Sequence, residues 1–324
     1  MAGPASIEPT PIDVGAVAKP DFAVAPDLAR LFADRVARFE TLAPGHPLDA
    51  YLRFLAGIAR AQHDVAADLP EPKLPAGDAL DRAFEFGMPP IDRARFDVDE
   101  AAHATLERLV AAVATLPMPE QAAAARRRIA DGDRAFRERL LVDVIETATS
   151  LETLAEHVFA AAALQVHFAR LASRLDVARL QSVGVGACPA CGGPPVASLV
   201  VGWSSAHGSR YVACSLCGTL WNHVRIKCVA CDATDKISYH ALSEDGETLA
   251  DAQGEAPTGR ARKDEATAKA ECCDACGLYL KIFHQHLDPA MDPVADDVAT
   301  LGLDLKVREA GWARAAFNPY LLGY

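Results

Sequence analysis

The chain has 324 residues, 51% of them hydrophobic, and a formal net charge of −12. Length and apolar content allow two or three domains with a substantial core and exclude a chain that is disordered throughout. No apolar run approaches the roughly 18 residues of a membrane span. Residues 1–187 carry 20 Lys+Arg against 27 Asp+Glu (−7) and the remainder 12 against 17 (−5), so neither half offers the basic field that nucleic acid requires.

Residues 1–25, with prolines at 4, 9, 11 and 20, read as an extended N-terminal arm. Met1-Ala2-Gly3-Pro4 lacks the basic region and apolar core of a secretory signal, so a cytoplasmic location is expected. Residues 26–182 read as a multihelical domain. A helix opens at Pro26 and places Leu28, Leu31, Phe32, Val36 and Phe39 at helical spacing; Pro44-Gly45-His46-Pro47 breaks it. A second helix runs from about Leu48 to Ala67, with Tyr51, Leu52, Leu55, Ile58 and Ala59 on its apolar face. Leu69–Arg95 reads as a loop with short turns. Helical periodicity returns near 98–115, 118–130, 134–148 and 151–179, the last being rich in alanine, which favours close packing. His63, His103, His157 and His167 are scattered through this half, and neither Glu152 nor Glu156 is followed three residues later by the His that a diiron bundle wants on two helices. Arg126-Arg127-Arg128 reads as a solvated helix face and His46-Pro47 as a turn.

All nine cysteines lie between Cys188 and Cys276. Eight form four CxxC pairs: Cys188–Cys191, Cys214–Cys217, Cys228–Cys231 and Cys273–Cys276. A CxxC turn places two sulfurs on one side of a tight loop, and two facing turns make a tetrahedral four-sulfur cage suited to zinc or a single iron. Four turns therefore predict two cages. The first module, 183–226, pairs Cys188 and Cys191 with Cys214 and Cys217 across a hairpin of Val196–Gly202 and Ser209–Cys214, with 204–208 as its turn. The second, 227–290, pairs Cys228 and Cys231 with Cys273 and Cys276. Its first strand is Lys236–Leu242, its turn Ser243-Glu244-Asp245-Gly246, and the polar stretch Glu247–Glu271 is an excursion. Nested pairing is disfavoured because short connections join neighbours.

Disulfides are the competing reading of paired cysteines, but nothing points to an oxidising compartment. A thiol-redox protein of the thioredoxin kind needs one CxxC at a helix start, not four on ribbon turns. Cys272 is left over beside Cys273: it is either a spare ligand or a small buried residue, and the second reading is favoured. His207, His223 and His240 are left out because eight cysteines satisfy two sites. Trp203 and Trp221 are expected to pack on the small ribbon cores, where metal compensates for scarce hydrophobic area. Tyr279–His286 alternates like a strand, with His284 and His286 expected at the surface. Residues 291–324 hold a short helix near Pro293–Leu301 and an apolar tail that is either docked on the body or part of an interface, so a homodimer is an open expectation.

Cys188-Pro189-Ala190-Cys191-Gly192, Arg210-Tyr211, Cys214-Ser215-Leu216-Cys217-Gly218-Thr219, Trp221 and Val224-Arg225-Ile226-Lys227-Cys228 together resemble the formate dehydrogenase accessory protein FdhE family. Tyr279-Leu280-Lys281, Asp296–Leu301, Asn318-Pro319 and, in the first half, His46-Pro47-Leu48 with Tyr51-Leu52-Arg53-Phe54 extend the match. Asp232 departs from it, standing where glycine often follows such turns. The resemblance implies an α+β protein: a multihelical N-terminal domain followed by two rubredoxin-like (zinc-ribbon) metal modules, each binding one iron. By the same resemblance it implies a cytoplasmic maturation protein that contacts the catalytic subunit of respiratory formate dehydrogenase before export and does not oxidise formate itself. The alternatives are zinc in place of iron, and a four-cysteine zinc-ribbon protein binding nucleic acid or a thiol-redox protein in place of the accessory role.

Overall fold

The computed structural model describes residues 20–148, 150–243, 249–251 and 266–321. Strand β1 (Ala23–Val24) precedes seven helices: α1 (Leu31–Leu42), α2 (Asp49–Asp68), α3 (Gly77–Glu85), α4 (Glu100–Ala112), α5 (Glu120–Asp131), α6 (Arg134–Glu146) and α7 (Leu154–Ala172). Capping sets several of their starts. Asp99 accepts the Ala102 amide to open α4, and Asp133 accepts the Phe136 amide to open α6. At the α1–α2 turn the Leu48 amide donates to His46 Nδ1, and His46 Nε2–H donates to the Ala299 carbonyl at 3.0 Å. His46 therefore shapes the turn and ties it to the C-terminal segment. Helices α2, α4, α5 and α6 pack around α7, of whose 19 residues 16 are buried, and α1 packs on α2; the Ala160–Ala163 run of α7 lets neighbouring backbones come close.

Three expectations for this half need correction. The first helix begins at Leu31, not Pro26, because Ala23 and Val24 are drawn out to pair with the sheet and the chain needs a turn at 28–30 before the helix can start. The stretch read as a loop, 69–95, contains α3, whose contribution to the core is little more than Ala83. Ala79, Leu80, Ala83 and Phe84 share one face of it, but at nine residues between Pro75 and Pro89 it is too short to stand out from the proline-rich stretch around it. The last helix stops at Ala172, and a separate 3-10 turn follows at Val177–Arg179.

The strands that follow are β2 (Pro195–Val200), β3 (Arg210–Cys214), β4 (Leu220–His223), β5 (Ile237–Leu242), β6 (Leu249–Asp251), β7 (Ala268–Cys273), β8 (Leu278–Phe283) and, after α8 (Ala295–Ala299) and α9 (Leu301–Glu309), β9 (Ala313–Arg314). The hairpin expected between the first two CxxC turns is β2–β3, with Pro195 opposite Cys214 and Val200 opposite Arg210. The expected strand after the third turn is β5. The excursion expected over 247–271 is not loop throughout: its last residues form the start of β7, which pairs with both β5 and β8. The turn expected at 243–246 falls largely outside the described residues.

The two ribbons share one sheet instead of standing as separate beads. The order is β1-β4-β3-β2-β8-β7-β5-β6, with β9 also on β8, and the two halves meet where β2 and β8 run parallel, Ser198 opposite Ile282 and Leu199 opposite Phe283. Every residue of β2 is buried, as suits a strand covered on both faces. A buried ion pair crosses the seam. Arg210 on β3 holds Glu271 on β7 through two hydrogen bonds of 2.8 and 2.9 Å, and reaches Ser198 Oγ on β2 at 2.9 Å. The side chains of the pair are 0% and 2% exposed.

The C-terminal segment closes the molecule. Arg38 of α1 grips Asp296 through Nε and Nη2, and Arg35 reaches Asp292 at 3.2 Å. Lys281 and Arg314 share Asp297 and Asp304 in a buried four-charge network. Tyr320 is buried between the helices, its hydroxyl donating to Gln165 Oε1 at 2.9 Å while the Tyr51 hydroxyl donates to its carbonyl. Of the two expectations for the tail, its described part is therefore docked on the body. The helical stretch near 293–301 is present as α8, and α9 extends beyond it.

Candidate metal centres

Four CxxC turns form four knuckles of similar geometry. In three of them the amide of the residue after the second cysteine donates back to the carbonyl of the first: Gly192 to Cys188 at 2.8 Å, Asp232 to Cys228 at 3.0 Å and Gly277 to Cys273 at 2.8 Å. In all four that residue sits at positive φ, +71° at Gly192, +73° at Gly218, +64° at Asp232 and +71° at Gly277. Glycine takes this left-handed conformation freely; aspartate is among the few other residues that tolerate it. The departure at Asp232 thus leaves the third knuckle intact, and its carboxylate also pairs with Lys227 at 2.9 Å.

The knuckles face each other in sequential pairs, as expected. Cys188 Sγ lies 3.6 Å from Cys217 Sγ and Cys191 Sγ 3.5 Å from Cys214 Sγ; in the other group Cys228 Sγ lies 3.8 Å from Cys276 Sγ and Cys231 Sγ 3.7 Å from Cys273 Sγ. All four sulfurs of each group fall within 4.8 Å of one another. A disulfide needs sulfurs about 2.05 Å apart. A tetrahedron of thiolates around an ion at about 2.3 Å has edges of about 3.8 Å. The spacing fits the second arrangement and not the first.

The electrostatics fit it as well. Burial pushes the Cys188 thiol well above its ordinary value, so thiolates gathered in so dry a place need a cation among them. Backbone amides supply part of the compensation: Gly193 donates to Cys191 Sγ, and Leu216 and Cys217 to Cys214 Sγ, each at 3.4 Å. The Thr219 hydroxyl stands 3.2 Å from Cys217 Sγ. In the second group the Ala233 amide holds the Cys231 thiol below its usual value.

Surroundings distinguish the two groups. Cys188, Cys191 and Cys217 are 0% exposed and Cys214 3%. In the second group Cys228 and Cys273 are buried, Cys231 is exposed and Cys276 half-buried. Trp221 is buried in the first ribbon and Trp203 lies against Tyr211 with ring centres 5.1 Å apart, as expected. Cys272 points to the other side of β7 from Cys273, among Ala270, Tyr279, Leu303 and Val307, and burial raises its thiol to about 12. It is the small core residue its sequence context suggested. Of the three histidines left out as ligands, His223 Nε2 meets the Lys227 carbonyl, His240 Nε2 meets the Ser238 hydroxyl, and the His207 ring stands edge-on to His286 with centres 6.2 Å apart. The expectation that His284 lies at the surface is wrong; it is 9% exposed, with Nδ1 at 3.3 Å from the Ala266 carbonyl. Strand alternation could not tell that β8 is covered on both faces.

Sequence reasoning also missed the Arg210–Glu271 pair and the Lys281–Asp297–Asp304–Arg314 network. Their only advance sign was charged residues inside apolar runs, such as Lys281 between Leu280 and Ile282.

Comparison with known proteins covers the whole chain. Family models described as "FdhE, N-terminal", "FdhE, central domain" and "FdhE, C-terminal domain" match residues 20–185, 187–225 and 226–321. A protein FdhE homolog of Rhizobium meliloti (strain 1021) is 42% identical over 318 residues, 98% of each chain. One from Pseudomonas aeruginosa is 33% identical over 291 residues, 89% of each chain. The crystal structure of the FdhE protein from Pseudomonas aeruginosa superposes with a TM-score of 0.79 at 30% identity, covering 93% of this chain and 99% of that one.

Proposed function

The chain belongs to the FdhE family, and from that premise we propose that it is a maturation factor for respiratory formate dehydrogenase. In this reading it works in the cytoplasm, contacts the catalytic subunit of the dehydrogenase before export, and carries no formate-oxidising activity of its own. Cys188, Cys191, Cys214 and Cys217 hold one ion, and Cys228, Cys231, Cys273 and Cys276 a second. The ion is iron in a rubredoxin-like setting, with zinc as the alternative that the same thiolates accept. Residues 26–182 act as the helical unit, 183–226 and 227–290 as the two metal modules, and 291–324 as the segment that locks them together.

The observation that carries this reading is the pair of four-sulfur groups, each at tetrahedral spacing, within a chain similar to FdhE proteins along its whole length. Nucleic-acid binding is disfavoured by the net charge of −12, to which each thiolate cage with a divalent ion adds about −2. The test is anaerobic purification from formate-grown cells. It should yield about two ions per chain and co-purify the dehydrogenase catalytic subunit. A red-brown colour bleached by reductant identifies iron. Colourless protein with two zinc ions removes any electron-transfer role, and failure to recover the subunit refutes the accessory role.

A further inference from the structure

We propose, on the reading that each four-sulfur group holds one ion, that the second group is a port at which this ion passes to or from the thiolates of a partner, while the first keeps its ion until the chain unfolds. The groups share ligands and geometry, so any difference between them comes from what covers them.

The first is covered on both knuckles by the helical half. Over the first knuckle, the Ile91 amide donates to the Ala190 carbonyl and the Arg93 amide to the Cys191 carbonyl, each at 3.0 Å. Pro89 stands so close that a Cβ on Gly192 would meet its Cγ at 3.1 Å. Over the second knuckle, Leu31 would meet a Cβ on Gly218 at the same distance, with Pro26 at 3.5 Å. A cleft of about 700 Å³ between α1 and the first ribbon reaches this knuckle, yet leaves Cys214 only 3% exposed. Reaching this ion requires parting the helical half from the sheet.

The second group is flanked, not enclosed. The linker touches its third knuckle, where a Cβ on Gly186 would sit 3.1 Å from the Val229 carbonyl, and β9 runs beside its fourth through the Ala313 amide and the Gly277 carbonyl. Trp312 Nε1 donates to Asp274 within the fourth knuckle at 2.9 Å and Lys227 pairs with Asp232 beside the third, but among the described residues nothing else covers the rim: Cys231 and Asp232 are exposed, Cys276 is half-buried, and a Cβ on Gly277 would meet nothing within 4 Å. An incoming thiolate can approach the ion from the side of Cys231 and Cys276 without any backbone opening. The exchange is a ligand substitution with no change of oxidation state. Each new metal–sulfur bond forms as an incoming thiol gives up its proton, and each departing cysteinate takes one up. The partner this surface suits is a protein or small molecule presenting paired thiols.

The experiment uses the full chain loaded with two zinc ions, verified by elemental analysis, and challenged with excess of the chromogenic chelator 4-(2-pyridylazo)resorcinol. One equivalent is expected to leave at least about a hundredfold faster than the other, because local access is far easier than global opening. Cys276→Ser should abolish the fast equivalent and keep the slow one. In the wild type, N-ethylmaleimide added during the fast phase should label Cys231 and Cys276 before any cysteine of the first group, which tests the port even if the variant does not fold. Release of both ions in a single phase, or first labelling at Cys188 or Cys191, overturns the proposal. Fewer than two ions in natively folded protein before the challenge overturns the underlying two-cage reading instead, and the port with it.

Discussion

Replacing Glu271 by glutamine keeps the shape of the seam between the ribbons and removes its negative charge. Arg210 then remains in a site where its side chain is 0% exposed, with Nη1 and Nη2 still aimed at the former carboxylate and partial compensation from the Ser198 hydroxyl and the Arg225 and Lys227 carbonyls. Leaving one member of a buried pair uncompensated costs about 3–5 kcal/mol, whereas an exposed pair is worth about 0–1. The low exposure of both partners places this pair in the first class, and the extra acceptors around Arg210 favour the lower end of the range. The Tyr239 hydroxyl, which donates to Glu271 Oε2 at 2.8 Å, also loses its charged acceptor. Urea unfolding of the zinc-loaded protein at low and high salt measures the effect. Glu271→Gln should destabilise by about 3 kcal/mol at both salt concentrations, because a buried pair is little screened. Replacing both partners, as Arg210→Met with Glu271→Leu, should recover most of the loss. A cost below about 1 kcal/mol, or one that vanishes in high salt, refutes the claim that a dry ion pair joins the two ribbons.

Asp232→Gly should leave ion affinity at the second group unchanged, whereas Asp232→Val, a β-branched residue forced to φ +64°, should weaken it about tenfold in chelator competition. Cys272→Ala should cost about 1–2 kcal/mol of stability through a small cavity and leave two ions per chain by elemental analysis; loss of an ion would make Cys272 a ligand after all. His167 is buried against Phe96 and Phe168, and burial lowers its imidazole to about 4 from an ordinary 6.5. The folded state therefore holds it neutral, so its contribution is complete above pH 6.5 and is lost as pH falls toward about 4. Between pH 7.5 and 4.5 the wild type should lose about 2–3 kcal/mol more than His167→Gln, measured by denaturant unfolding of both proteins; equal losses would show that His167 is already protonated in the fold or solvated.

Much of the protein was legible from the chain alone because the relevant signals are local. A CxxC turn places two thiols within four residues, so the four knuckles and their sequential pairing could be read from Cys188 to Cys276 without any knowledge of the fold. Helical periodicity is equally local, and it located α1, α2 and α4 to α7 apart from their ends. Where an element is short and set among prolines, as α3 is between Pro75 and Pro89, the reading failed. Strand alternation found β2, β3, β5 and β8 but was silent on which faces are covered, which is why His284 was misplaced.

The tertiary structure alone decided the rest. No periodicity announces that β2 and β8 will run side by side, because a parallel pair joins segments far apart in the chain and both strands are buried almost throughout, which blurs the alternation. Likewise, the four thiolates of one group and the four of the other look the same in sequence. Their difference lies in Pro89, Ile91, Arg93, Pro26 and Leu31, which the helical half lays over one group and not over the other. The grouping of the thiols is encoded by neighbours in the chain, and their access to solvent by neighbours in space.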